Sequence, residues 1–138
     1  MLQDLKIEWK MSGDKSVQSI TVNGSSELRR HLMDLDSEAR TAQHPIVASV
    51  VTNDDHVFSI GLGSEEGATL TYDGYKGNPP YFIAAGDESR TGMVNFMFMG
   101  SLSELPSSCL LPRELAMRAL IDSLERRAPS PMIKWDEC

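Results

Sequence analysis

The sequence predicts an α+β domain: a mainly antiparallel β-sheet, built as a meander, with two main helices packed on one face. Two observations carry that prediction. Only two segments repeat their apolar residues at helical spacing, whereas seven to nine short segments alternate or run apolar between turn residues. Most of the extended segments also follow one another through short polar turns, the pattern of neighbouring antiparallel strands. At 138 residues, with no internal repeat, low-complexity tract or long linker, the chain reads as one domain spanning residues 1–138.

Leu5, Ile7 and Trp9 alternate with Lys6, Glu8 and Lys10, the period of a strand with one buried face. Ser12-Gly13-Asp14 turns the chain into a second strand over Val17–Val22 that pairs back on the first. Asn23-Gly24 interrupts the chain, and Ser25 or Ser26 is placed to cap a helix from about Glu27 to Ala39, marked by Leu28, Leu32 and Leu35. Arg29, Arg30 and Asp34 of that helix face water. Pro45 ends any continuation, and Ile46 to Val51 is an apolar, β-branched run suited to a central strand. Strands follow over residues 57–63 and 68–72. Asp73 to Pro80 reads as a loop, because its glycines and prolines do not suit a ladder. Tyr81–Ala85 and Met93–Met99 complete the meander. Pro112 opens a helix reaching about Arg127, with Ala116, Leu120 and Leu124 on one line and Met117 and Ile121 beside them. Pro129 and Pro131 end it, and residues 132–135 suit a short last strand.

The net charge of −7 is concentrated in the middle of the chain. Between Asp54 and Glu104 there are eight acids and two bases, so that segment carries −6 and the remainder only −1. Such a field repels phosphate backbones and steers a basic protein surface towards it. A nucleic-acid partner is therefore not expected, and a solvated, solubilising surface is the simpler use of the same charge. No stretch has the roughly 18 consecutive apolar residues of a membrane span. The start, Met1 to Lys6, lacks a basic region followed by an apolar one, so no membrane partner and a cytoplasmic location are expected. Cys109 and Cys138 are too few for a disulfide-built secreted domain and read as free thiols.

No coherent set of catalytic groups emerges. His31, His44 and His56 have no second ligand at a metal-site spacing, so no metal or other cofactor is expected. Gly61-Leu62-Gly63-Ser64-Glu65-Glu66-Gly67 imitates a phosphate loop, yet it precedes a strand and carries two carboxylates. Cys109 has no histidine near it in sequence and reads as a buried structural thiol. The pairs Asp54-Asp55, Glu65-Glu66 and Asp87-Glu88 fall in turns, where solvation is easy and tuning by burial is not. Turns of that kind present fixed negative charge to a basic partner. Tyr72, Tyr75 and Tyr81 surround the glycine-proline loop, and Tyr75 is the one expected to be exposed, available as an interface anchor.

From Pro45 to Cys138 the chain resembles a known family. An apolar strand is followed by a Gly61-Leu62-Gly63 strand, a Leu70-Thr71-Tyr72 strand and a loop ending Pro80-Tyr81. A strand ending at Gly100, the short Glu104-Leu105-Pro106 segment, a Pro112-initiated helix and the closing Pro131…Trp135-Asp136-Glu137 complete the order. In this order the motifs resemble the Imm1 family of bacterial toxin-immunity proteins, about two thirds of the chain being covered. Trp135 itself reads as a core plug anchoring the last strand.

The resemblance implies a non-catalytic protein that binds and neutralises a cognate toxin, frequently one with a nucleic-acid deaminase domain. Such a toxin carries basic surface around its active site. The residues expected to meet it are Asp54, Asp55, Glu65, Glu66, Asp73, Tyr75, Asp87 and Glu88, with charge hastening association and aromatic contact slowing release. A non-catalytic adaptor or regulatory module is the alternative reading of the same surface.

Overall fold

The computed structural model describes residues 2–138; Met1, the first residue of the start read above for targeting signals, lies outside them. Strands β1 (Leu5–Trp9) and β2 (Gln18–Val22) form the expected antiparallel hairpin, its turn held where Met11 N–H donates to Asp14 Oδ2 at 2.9 Å. Helix α1 spans Ser25–Thr41 and buries Leu28, Leu32, Leu35 and Ala39. It starts two residues earlier than expected, which corrects the serine cap: Gly24 occupies the capping position, and neither serine side chain caps the helix.

Strands β3 (Ile46–Val51), β4 (His56–Leu62), β5 (Leu70–Tyr75) and β6 (Phe82–Ala85) form the antiparallel meander at the centre of the sheet. Strand β5 runs three residues past the expected end, so the reading of Asp73, Gly74 and Tyr75 as loop is corrected. A register shift between His56 and Phe58 absorbs the left-handed Gly74, and Tyr75 then pairs with His56. Strand β7 (Met93–Phe98) is followed by β8 (Ser101–Pro106), which the sequence reading did not anticipate. The two are joined by Met99 and Gly100, both at positive φ, the geometry of a tight hairpin turn. A 3-10 turn at Ser107–Cys109 leads to helix α2 (Arg113–Arg126), and β9 (Lys134–Glu137) closes the sheet beside β6. The order across the sheet is β2-β1-β3-β4-β5-β6-β9, with the β7–β8 hairpin attached to the start of β3 through parallel pairing of Ile46 with Met97.

Strand alternation gives the sheet two unlike faces. Ile46, Ala48, Val50, Phe58, Ile60, Leu62 and Leu70 point to the main core with the apolar sides of α1 and α2. Trp135 packs against this core and donates from Nε1 to the Ser130 carbonyl at 2.8 Å, which fits its reading as an anchor. The other face carries Val47, against which Val94, Phe96 and Leu110 make a second, smaller cluster. Gly61 is what admits the β7–β8 hairpin there: a Cβ on it would sit 2.3 Å from Thr69 Oγ1 and 2.8 Å from the Phe96 ring.

Both helices are fixed at one end of β4 by a single carboxylate. Asp36 of α1 is 1% exposed and accepts from the Gly63 N–H at 2.8 Å. Its other oxygen lies 3.1 Å from Arg40 Nε and 3.1 Å from Arg113 Nε of α2. Arg113 also donates to the Ser64 carbonyl at 3.0 Å. Gly63 is left-handed, at φ 88°, and passes close to Ala39 of α1, so the Gly-Leu-Gly strand serves three contacts: Phe96, the main core, and Asp36.

Asp36→Ala strands two partly exposed arginines and an amide, and is expected to lower stability by roughly 2–4 kcal/mol in urea unfolding. Gly61→Ala overpacks the seat of Phe96, and the same measurement should show a loss of about 1–3 kcal/mol.

Candidate functional site

The eight residues singled out in the sequence fall into three places. Asp54, Asp55 and Tyr75 gather at the start of β4. There Asp54 accepts from Thr52 Oγ1 at 2.5 Å and from Arg127 Nε at 3.0 Å, and its carboxyl is held below the ordinary carboxylate range by the Thr52 hydroxyl and by Arg127. Asp55 takes a left-handed turn conformation and its carbonyl accepts from Lys76 N–H at 2.7 Å. Tyr75 is 48% exposed, as expected, with its ring 5.2 Å from His56 and Lys76 Nζ 5.4 Å above it. Tyr72 instead enters the core, its hydroxyl 2.9 Å from His56 Nδ1, and burial pushes its pKa up.

Glu65, Glu66, Asp87 and Glu88 lie at the opposite end of β4, about 20 Å away for seven residues of strand. Glu66 faces Arg90 at 3.5 Å, and Arg90 also donates to the Glu66 carbonyl. Asp87 accepts from both the Ser89 hydroxyl at 2.6 Å and the Ser89 N–H, which hold its carboxyl below the ordinary range. Glu88 pairs loosely with Lys134 at 3.4 Å, both side chains being largely in water. Glu65 is exposed on its turn.

Asp73 lies between these ends, on the face of the sheet opposite the helices. Register places Ser49, Ser59, Thr71, Ile83 and Asp136 in one row across β3, β4, β5, β6 and β9. Asp73, two residues beyond Thr71 on the same strand, leans over that row. Thr71 Oγ1 donates to Asp73 Oδ1 at 2.9 Å and Ser59 Oγ donates to Asp73 Oδ2. Ser49 and Ser59 are buried and their hydroxyls lie 3.5 Å apart.

Thr71, Ile83 and Asp136 of this row floor a groove whose far wall is β8 and the 3-10 turn. A cavity of about 420 Å³ is lined by Asp73, Ile83, Glu88 and Asp136 on one side and by Leu105 and Pro106 on the other, with Tyr81 beside them. A second cavity of about 190 Å³, reached past Phe98 and Ser103, shares Thr71, Asp73 and Leu105 with the first. The groove thus brings together Asp73 and Glu88 from the sequence reading and adds Asp136, which the family resemblance had marked only as the acid after the tryptophan. Its apolar wall, Leu105 and Phe98, had no sequence signal pointing to it. Among the described residues no Lys or Arg comes within ion-pair distance of Asp73 or Asp136, whereas Asp36, Asp54, Glu66 and Glu88 all have a cation.

Cys109 and Cys138 both line the larger cavity and are free. Cys109 is buried with its Sγ 2.9 Å from the Pro106 carbonyl, and burial pushes its thiol pKa up. Among the described residues no group of three His, Cys, Asp or Glu side chains could hold a metal ion. His31 is half-buried with its ring 4.9 Å from Trp9, and that burial lowers its pKa. No helix among the described residues is long and apolar enough to cross a membrane.

The model of the family described as immunity protein Imm1 matches residues 17–137, a span that reaches back past Pro45 to include β2 and α1. No curated protein matches the chain.

The thiols give a direct check on the groove's interior. At pH 8 Ellman's reagent is expected to react quickly with Cys138 and to reach Cys109 only on unfolding. Two fast thiols in the folded protein would contradict the burial of Cys109.

Proposed function

The chain belongs to the Imm1 family of immunity proteins, and from that premise we propose that it binds a cognate bacterial toxin and neutralises it by covering a basic active-site surface. A toxin acting on nucleic acid, such as a deaminase, is the target class this reading favours, because such an enzyme must hold phosphate with Lys and Arg. The whole of residues 1–138 acts as one non-catalytic immunity domain in the cytoplasm, the compartment where a self-directed toxin has to be blocked.

The single observation that supports this best is the groove opposite the helices, where Asp73 and Asp136 have no cation of their own among the described residues while apolar side chains line the same space. Carboxylates already paired within the chain offer a partner little, since a new cation must compete with the old one. Carboxylates left unpaired beside apolar surface provide both attraction at a distance and desolvated contact on docking. Glu88 stands at the rim of this groove. Asp54, Asp55, Glu65, Glu66, Asp87 and Tyr75 flank it at the two ends of the sheet, where their charge steers the approach of the partner.

Co-expression with the toxin encoded next to this gene is expected to restore growth, and the purified pair should form a complex. The association rate should fall at least tenfold between about 0.05 and 0.5 M salt, as expected for steered docking. Failure to bind or to rescue would overturn the reading. A complex in which the partner keeps its full activity would point instead to an adaptor.

A further inference from the structure

We propose that the groove receives an arginine side chain inserted from the toxin, with Asp73 as its receptor; this rests on the immunity reading above and deepens it. The geometry around Asp73 is that of a prepared carboxylate. Ser59 and Thr71 each donate one hydrogen bond, to different oxygens, which fixes the plane of the group on the sheet. An ionised carboxylate has about four acceptor positions, so each oxygen keeps one free for an incoming donor. Two parallel acceptors at fixed spacing match the forked donors of a guanidinium better than the point charge of an ammonium.

The surroundings fit the rest of an arginine. Its methylene stem needs an apolar channel, which Ile83, Leu105 and Phe98 provide along the two joined cavities. Its charge needs compensation, and Asp73 has no cation within the described part of the chain, while the nearby Asp136 adds a second carboxylate without one. Guanidinium is also the more weakly hydrated of the two cationic heads, so it loses less on entering a partly enclosed groove. The occupant is therefore an arginine on a projecting segment of a basic protein, and charge complementarity is what selects it.

The test uses the full chain. Calorimetric titration of the toxin into wild type, Asp73→Asn and Glu125→Gln compares a loss of charge in the groove with the same loss on the exposed side of α2. Asp73→Asn should bind about 100-fold more weakly, and Glu125→Gln within twofold of wild type. Ser59→Ala with Thr71→Val keeps the carboxylate and removes its orienting donors, so about tenfold weaker binding is expected even if Asp73→Asn does not fold. In parallel, N-acetyl-arginine amide at millimolar concentration should shift the amide resonances of Thr71, Asp73 and Ile83, and N-acetyl-lysine amide should shift them much less. Unchanged toxin binding by both groove variants would overturn the arginine receptor and leave the immunity reading standing. No toxin binding by wild type would overturn the immunity reading, and the amide titration then decides the groove alone: shifts elsewhere, or equal shifts with the lysine compound, contradict it.

Discussion

The buried carboxylate of Asp36 is the constraint on which the arrangement turns. A charge so enclosed costs several kcal/mol unless it is compensated; here Oδ1 accepts the Gly63 N–H, while Oδ2, which has no hydrogen bond, is compensated by the charge of two arginines at 3.1 Å. Those three partners come from α1, α2 and the end of β4, so satisfying the charge requires both helices to lie on the same side of the sheet. Hydrophobic burial of Leu28, Leu32, Met117 and Leu120 favours that side in a non-directional way; Asp36 makes it specific. A consequence follows for the opposite face, which the helices leave uncovered.

What covers that face in part is the β7–β8 hairpin, and its attachment determines the groove. Parallel pairing with β3 extends over only Ile46 and Val47, so most of the hairpin is held by packing of Phe96 over Gly61 rather than by a ladder. Held in this way, β8 stands off from β5 and β6, leaving the joined cavities between them. Ser49 and Ser59 are buried and meet each other and Asp73, whereas the carboxylates of Asp73 and Asp136 would be costly beneath a second apolar layer, and the groove keeps them near solvent and near any partner. Geometry and polarity thus agree on one surface.

Much of the fold was legible in the sequence because its strands and helices advertise themselves locally. Leu5-Ile7-Trp9 alternates, Leu28-Leu32-Leu35 repeats, and the polar turns between β3 and β7 separate the strands. Strand β8 was hidden: Leu102 and Leu105 are three apart and point to opposite faces, and the Met99-Gly100 turn lacks the usual asparagine or aspartate. The end of β5 was misread because a glycine after an aspartate resembles a loop unless the bulge that absorbs it is known. The groove was legible only in pieces. Asp73 and Glu88 belonged to the acidic segment, but Asp136 reaches them through a pairing of β9 with β6 across more than fifty residues, and Asp36 finds Arg113 at a still greater remove. Local pattern says nothing about such distant partners, and net charge cannot separate carboxylates with an internal cation from those without one.

The central claim is that the toxin docks on the face of the sheet opposite the helices, in the groove between β5, β6 and β8. A crystal structure of the complex tests it most directly. The account predicts toxin atoms in the space between Asp73, Asp136 and Leu105, with the exposed sides of α1 and α2 in solvent. A toxin seated on those helices, with the groove empty, would contradict it.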